Sequence, residues 1–168
     1  NQASSDNDVA GNDSMHVENI AFHGQRNNQD IIADGSVGTN KGIGGVYFKY
    51  ASRSRIRDCY FKDGWCGFVI TGTRTGFNSQ SQNSIFDCTV YNATSWNQNG
   101  NAGVPRGILI NTAYTYMRGC STNSCATGFY IGGEQLVVDS CNTFNWTYDN
   151  GFYCLAPELA MSNCRADG

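Results

Sequence analysis

Two short apolar patterns alternate along the chain and return at a regular interval. In the first, an aliphatic residue stands three positions before a cysteine: Ile56 and Cys59, Ile85 and Cys88, Met117 and Cys120, Val138 and Cys141, Met161 and Cys164. Val17 and Ile20 fit the same frame with Ile in place of Cys. In the second, a glycine opens a β-prone run: Gly45-Val46-Tyr47-Phe48, Gly67-Phe68-Val69-Ile70, Gly107-Ile108-Leu109-Ile110, Gly128-Phe129-Tyr130-Ile131 and Gly151-Phe152-Tyr153-Cys154. From glycine to the following cysteine is 13 residues in the last three cases, and from Cys120 to Gly128 is 8, so the basal period is 21. A period of this size, carrying two β-rich segments with turn residues between them, predicts a solenoid whose coils bury their apolar faces only by stacking.

The expected fold class is therefore all-β: a right-handed parallel β-helix of about five to six coils, with residues 1–14 as a polar lead-in or loop and 15–168 as the solenoid. A leucine-rich repeat shares the period but needs a recurring Leu-x-Leu strand, and the chain has only four Leu. A propeller blade or sandwich would return its strands antiparallel, which leaves the recurrence of one residue type at one place unexplained. Parallel stacking puts equivalent positions above one another at about 4.8 Å, so inward side chains form ladders. The cysteines are expected to be such a ladder of free buried thiols, because parallel Cα–Cβ vectors keep their Cβ atoms beyond the usual disulfide range of roughly 3.5–4.5 Å. Cys154 falls at an aliphatic position and is expected in the core. Cys66 and Cys125 are expected in turns, as the surface thiols or a bridge.

Composition narrows the function classes. Gly is abundant at 20, Pro scarce at 2 and the charged fraction only 15%, which suits strands and tight turns. The net charge of -3 offers no basic stripe for nucleic acid, and no apolar run approaches the roughly 20 residues of a membrane helix. With two His and no CxxC pair, no metal site and no cofactor are expected. The polar start without Met or leader and the lack of polar caps predict a segment of a longer protein. Free buried cysteine predicts folding in a reducing cytoplasm.

The coil length, the glycine-led strand and the inward ladder together resemble the right-handed parallel β-helix superfamily of pectate-lyase-like enzymes and bacteriophage tailspike proteins. The resemblance runs from about Met15 to Gly168. It implies an extracellular or virion-surface protein, a homotrimer that binds or cleaves polysaccharide. The chain carries no Asp-Pro-His epimerase motif and no clear pectate-lyase calcium cluster, and the superfamily also includes inert stalks, so the fold alone does not choose among these roles.

Three departures from the basal coil stand out: His23 to about Gly42, Gly72 to Asn83, and Asn92 to Pro105. Loops grafted on a rigid scaffold are where binding and catalysis concentrate. The first and third leave the same corner and flank the short turn Lys62-Asp63-Gly64-Trp65, predicting a groove lined by Asp30, Asp34, Asp63, Trp65, Trp96 and Arg106. Trp65 and Trp96 would stack on sugar rings, Asp30 would bind substrate and Arg106 would neutralise a uronate. The alternative for Trp65 is packing beneath the loops. Asp58 and Asp87 precede the ladder cysteines of adjacent coils, so their carboxylates are expected to stand roughly 5 Å apart, near the spacing of a retaining glycosidase. Asp58, Asp87 and Asp63 are thus the catalytic candidates. The alternative is a solvated pair beside Arg57 and Arg118. Glu134, Asp139, Asp149 and Glu158 have no partner visible in the sequence, and nothing pairs His16 or His23 with a nucleophile. Three functions follow: a polysaccharide lyase or glycoside hydrolase, a non-catalytic carbohydrate-binding or adhesin module, and a structural segment of a phage tail fibre.

Overall fold

The computed structural model describes residues 14–24, 44–49, 51–64, 66–72, 82–93, 105–147 and 150–168. These residues form 17 strands and no helix, hence no helix long and apolar enough to cross a membrane. One sheet stacks β1 (His16–Glu18), β4 (Arg55–Arg57), β7 (Asn83–Phe86), β10 (Thr115–Arg118), β13 (Leu136–Asp139) and β16 (Leu159–Ser162) in that order. The second stacks β2 (Ala21–His23), β5 (Tyr60–Gly64), β8 (Thr89–Ala93), β11 (Ser121–Asn123), β14 (Asn142–Phe144) and β17 (Arg165–Asp167). The third stacks β3 (Gly44–Lys49), β6 (Cys66–Thr71), β9 (Arg106–Asn111), β12 (Thr127–Gly132) and β15 (Phe152–Cys154). Every pairing is parallel, and neighbours in each sheet are three apart in chain order, so each coil visits each sheet once. The molecule is an all-β parallel β-helix.

Both sequence frames are in register. Val17, Ile56, Ile85, Met117, Val138 and Met161 align in the first sheet, and Val46, Phe68, Ile108, Phe129 and Phe152 in the third. The offset is 21 residues from Met117 to Val138 and 23 from Val138 to Met161, against 39 from Val17 to Ile56. Each coil carries three strands rather than the two expected. The second-sheet strands are only three to five residues long, and their inward residue changes from Phe22, Phe61 and Val90 to Thr122, Thr143 and Ala166, so no apolar period marks them. Lys62, Asp63 and Gly64, expected in a turn, end β5.

The cysteine column lies just before this second sheet. Thr89, Ser121, Asn142 and Arg165 donate their N–H groups to the carbonyls of Cys59, Cys88, Cys120 and Cys141 on the preceding coil, at 2.9 to 3.0 Å. Cys88, Cys120 and Cys141 are fully buried, Cys59 nearly so, and none of the eight cysteines is bridged. Cys125 was expected near a surface, but it is 1% exposed and part of the core, with its thiol pushed up to about 11 by burial. Cys66 is not in a turn either; it opens β6 and is half-buried. Cys154 reverses the other way: β15 is the edge strand of its sheet, so Cys154 has Ile131 on one side only and is exposed.

The glycine column has a steric cause. A Cβ on Gly67, Gly107 or Gly128 would stand 2.5 to 2.6 Å from the carbonyl oxygen of the next glycine in the stack. It would also enter the space of the inward second-sheet side chains Val90, Thr122 and Thr143. The section is narrow here, and absent side chains let the third sheet approach the second.

Candidate functional site

Three corners of the coil are turned by residues with positive φ, one of them the entry to the first sheet, with Ser14, Arg53, Gln82, Tyr114 and Gln135. Between the first and second sheets these are Asn19, Asp58, Asp87, Gly119, Ser140 and Asn163, with φ of 48 to 67°. Asn, Asp and Gly are the residues that tolerate this left-handed conformation best, and Ser accepts it at some cost. Asp58 and Asp87 therefore sit at one exposed corner on successive coils, where their residue type already has a conformational reason. Asp58 is held by Arg57, whose Nε is 3.0 Å from its Oδ2. Asp87 lies over the next coil, where a Cβ on Gly119 would meet its Oδ1 at 2.3 Å. Asp139 is not the partnerless acid that the sequence suggested. Ser162 Oγ and Asn163 Nδ2 donate to its Oδ1 at 2.8 and 3.0 Å, and these bonds hold its carboxyl below the usual range.

The corner at the end of the second sheet gathers more chemistry. Asp63, Asn92, Ser124 and Asn145 turn it with φ of 51 to 59°. Asp63 Oδ2 is 3.2 Å from His23 Nε2 and 3.7 Å from Lys62 Nζ, and its Oδ1 accepts a 2.6 Å hydrogen bond from Asn92 Nδ2. Lys62 also lies over the Tyr91 ring, 5.8 Å from its centroid. The cluster follows from register: His23, Lys62 and Tyr91 are stacked partners on β2, β5 and β8. His23 is 60% exposed and the Asp63 side chain 23%, so the carboxylate is partly shielded while the imidazole faces outward. Here one carboxylate is fixed on both oxygens, beside an imidazole and an ammonium.

Among the substrate-binding candidates, Arg106 opens β9, with its guanidinium 3.9 Å from the centroid of Tyr130, which in turn stacks on Tyr153 at 5.3 Å. Tyr47, Val69, Leu109, Tyr130 and Tyr153 align as the outward ladder of the third sheet. Tyr47 and Tyr153 are exposed, whereas Val69 and Leu109 are only 8% and 9% exposed. Asp30, Asp34, Trp65, Trp96 and Asp149 lie outside the described residues, as does most of each insertion. The structure thus brings Asp63 together with His23, Lys62 and Asn92, none of which the sequence reading nominated, and leaves Asp58 and Asp87 at a different corner. The signal was present. His23 stands three residues after Ile20 and Lys62 three after Cys59, so aligning the two frames stacks one on the other. Among the described residues no group of three or more His, Cys, Asp or Glu is arranged to hold a metal ion.

No protein-family model, no curated protein and no solved structure matches this chain.

Proposed function

We propose that this chain is a polysaccharide-degrading β-helix of the pectate-lyase-like and tailspike type, working outside the cell or on a virion surface as a homotrimer, with the His23–Asp63–Lys62 corner as its reactive centre. The observation that carries the reading is Asp63, bound on one oxygen by Asn92 and on the other by His23 beside the Lys62 ammonium. A carboxylate on Nε2 favours the tautomer with its proton there, which makes Nδ1 the basic nitrogen. The chemistry that suits this set is β-elimination from a uronate-containing glycan. Lys62 faces the sugar carboxylate, His23 Nδ1 takes the C5 proton, and the C5–H electrons form the C4–C5 double bond as the C4–O bond breaks. The departing glycosidic oxygen takes a proton from water. Tyr91, exposed next to Lys62, offers its ring face to a sugar.

The test is chain-end release from a panel of capsular, O-antigen and uronate polysaccharides, following reducing sugar and unsaturated-uronate absorbance together. His23→Gln and Asp63→Asn should each reduce release by roughly 10²- to 10⁴-fold, while Asp58→Asn and Asp87→Asn leave it near the starting rate. Reducing sugar without the absorbance would replace elimination with hydrolysis, and release abolished by Asp58→Asn or Asp87→Asn would move the site to the other corner. No release from any polymer by folded protein would overturn the enzyme reading. The outward tyrosines of the third sheet would then favour the second reading, a carbohydrate-binding module, detectable as glycan retention that survives Asp63→Asn and is lost with Tyr130→Ala.

A further inference from the structure

The outward face of the second sheet continues past the reactive corner. Tyr91 on β8 stacks on Lys62, Asn123 on β11 stacks on Tyr91, and Phe144 on β14 stacks on Asn123, so the three follow Lys62 along the axis in one column. Tyr91 is exposed, and Asn123 and Phe144 are half-buried. Asn123 is oriented before any ligand arrives. Its Oδ1 accepts from Ser124 Oγ at 2.9 Å and from Asn145 Nδ2 at 3.4 Å, which leaves its own Nδ2 hydrogens to donate elsewhere. The neighbouring column of the same face is Tyr60, Thr89, Ser121 and Asn142, in which the Thr89 and Ser121 hydroxyls bond each other at 2.9 Å. On this face the next cation after Lys62 among the described residues is Arg165 on β17, and its Nη2 is held 2.6 Å from Asp167 Oδ2. Strands β8, β11 and β14 thus carry rings, hydroxyls and amides and no charged side chain.

The strand spacing of about 4.8 Å advances this column by roughly one sugar unit per coil. A glycan whose uronate sits at Lys62 therefore sets its next three sugars over Tyr91, Asn123 and Phe144. The face of an aromatic ring is the negative part of its quadrupole, so it attracts the C–H face of a neutral sugar and repels a carboxylate. A carboxylate placed there would also lose water without gaining a cation. A polyuronate brings one carboxylate per sugar and meets this cost at every position beyond the first. We propose, resting on the reading of the His23–Asp63–Lys62 corner as the eliminating centre, that the substrate is a heteroglycan in which each uronate is followed by a run of neutral sugars, and that the uncharged face of β8, β11 and β14 selects it over polyuronates. Lys62 receives the one negative charge. Tyr91 and Phe144 stack on sugar rings, and Asn123 Nδ2 donates to a hydroxyl or acetamido oxygen between them.

The experiment assays the full chain by unsaturated-uronate absorbance on two panels. One holds polyuronates, namely polygalacturonate, polymannuronate and polyguluronate; the other holds bacterial capsular heteroglycans with a single uronate per repeat and neutral sugars otherwise. A heteroglycan should be cleaved with kcat/KM at least about tenfold above any polyuronate. Phe144→Ala and Asn123→Ala should each raise KM for that heteroglycan by about 3- to 10-fold, with kcat near wild type and the β-sheet circular dichroism kept. Phe144→Lys supplies the missing cation and should raise kcat/KM on polyuronates while lowering it on the heteroglycan, a reversal that damage to the fold would not produce. Should Phe144→Lys fail to fold, Asn123→Lys on the neighbouring coil carries the same test. Polyuronates cleaved as fast as the heteroglycans, or KM untouched by both alanine variants, overturn this proposal and leave the eliminating centre standing. No release from any polymer overturns both.

Discussion

Replacing Gly107 with alanine tests whether the glycine column is there for steric reasons. A Cβ at this position would stand 2.6 Å from the Gly128 carbonyl oxygen on the next coil, 2.7 Å from Thr122 Cγ2 and 3.1 Å from Thr122 Cβ. Non-bonded carbon contacts settle at about 3.5 Å or more, so relief demands that the third sheet move away from its neighbours by close to an ångström. Neither obstacle gives easily: one is backbone tied into the β9–β12 ladder, and the other is a β-branched side chain that is fully buried. Overpacking of this kind costs about 1–3 kcal/mol, and two rigid contacts place Gly107→Ala toward the upper end. The reduced freedom of the unfolded chain offsets about 0.4–1 kcal/mol, leaving a net loss of about 2 kcal/mol. With a urea m-value of about 2 kcal/mol/M, the midpoint should fall by about 1 M, and the melting temperature by about 4–8 °C for a chain of this size. The assay is urea unfolding followed by far-ultraviolet circular dichroism. Thr122→Ser removes the Cγ2 obstacle but keeps the hydroxyl that bonds Thr143, so adding it should recover part of the loss. A midpoint equal to or above wild type for Gly107→Ala alone would refute the steric account.

Three further outcomes follow from the same geometry. Asp87→Gly should leave the thermal midpoint within about a degree of wild type or above it, whereas Asp87→Ala should lose about 1 kcal/mol, because φ of 52° suits glycine but strains an alanine; equal midpoints for the two in a melting comparison would contradict this. The buried Thr122 hydroxyl donates to Thr143 at 2.8 Å, so Thr122→Val or Thr143→Val alone should cost about 1–3 kcal/mol, while the double variant should lose less than the sum of the two singles, a double-mutant cycle in urea being the check. Burial pushes the Cys125 thiol up to about 11. In the unfolded chain this thiol ionises from about pH 9 while in the folded chain it stays protonated. Its contribution is therefore present below pH 9 and lost as pH climbs toward 11, by at most about 3 kcal/mol; Cys125→Ala should flatten that part of the stability-versus-pH curve, and an unchanged slope would count against it.

What the sequence made legible was whatever repeats with a fixed residue type. The aliphatic, cysteine and glycine ladders each occupy a slot with one steric demand, inward and of limited size, so selection at that slot leaves the same mark on every coil. The second sheet escaped notice because its inward slot widens and narrows along the axis, admitting Phe61 at one coil and Thr143 at another. Cys125 was misplaced for a related reason. It stands five residues after Cys120 and outside either frame, and only the third strand of each coil turns that stretch into core. Cys154 shows the converse: its slot is a core slot, filled on the previous coil by buried Ile131, yet its exposure is decided by what stacks on β15, which no local pattern encodes.

Two of the three corners separate what a residue is from what it does. At the corner between the first and second sheets the occupants are Asn19, Asp58, Asp87, Gly119, Ser140 and Asn163, a set selected by tolerance of positive φ, in which aspartate is one acceptable answer among several. Two aspartates on adjacent coils there need no catalytic explanation, and their ion-pair and hydrogen-bond surroundings are those of a turn. Asp63 occupies the same kind of slot at the end of the second sheet, so its residue type is equally well explained by conformation. Its difference lies in its neighbours. His23 arrives from the coil before and Asn92 from the coil after, and neither contact is required to hold φ at 59°. A corner needs a residue that turns, and Asn92 stands over Asp63 because it turns the same corner one coil on; what the turn does not need is an imidazole from the coil before resting on that residue's carboxylate. The surplus of interactions over what the turn demands is the physical reason to look for chemistry at Asp63 before Asp58 or Asp87.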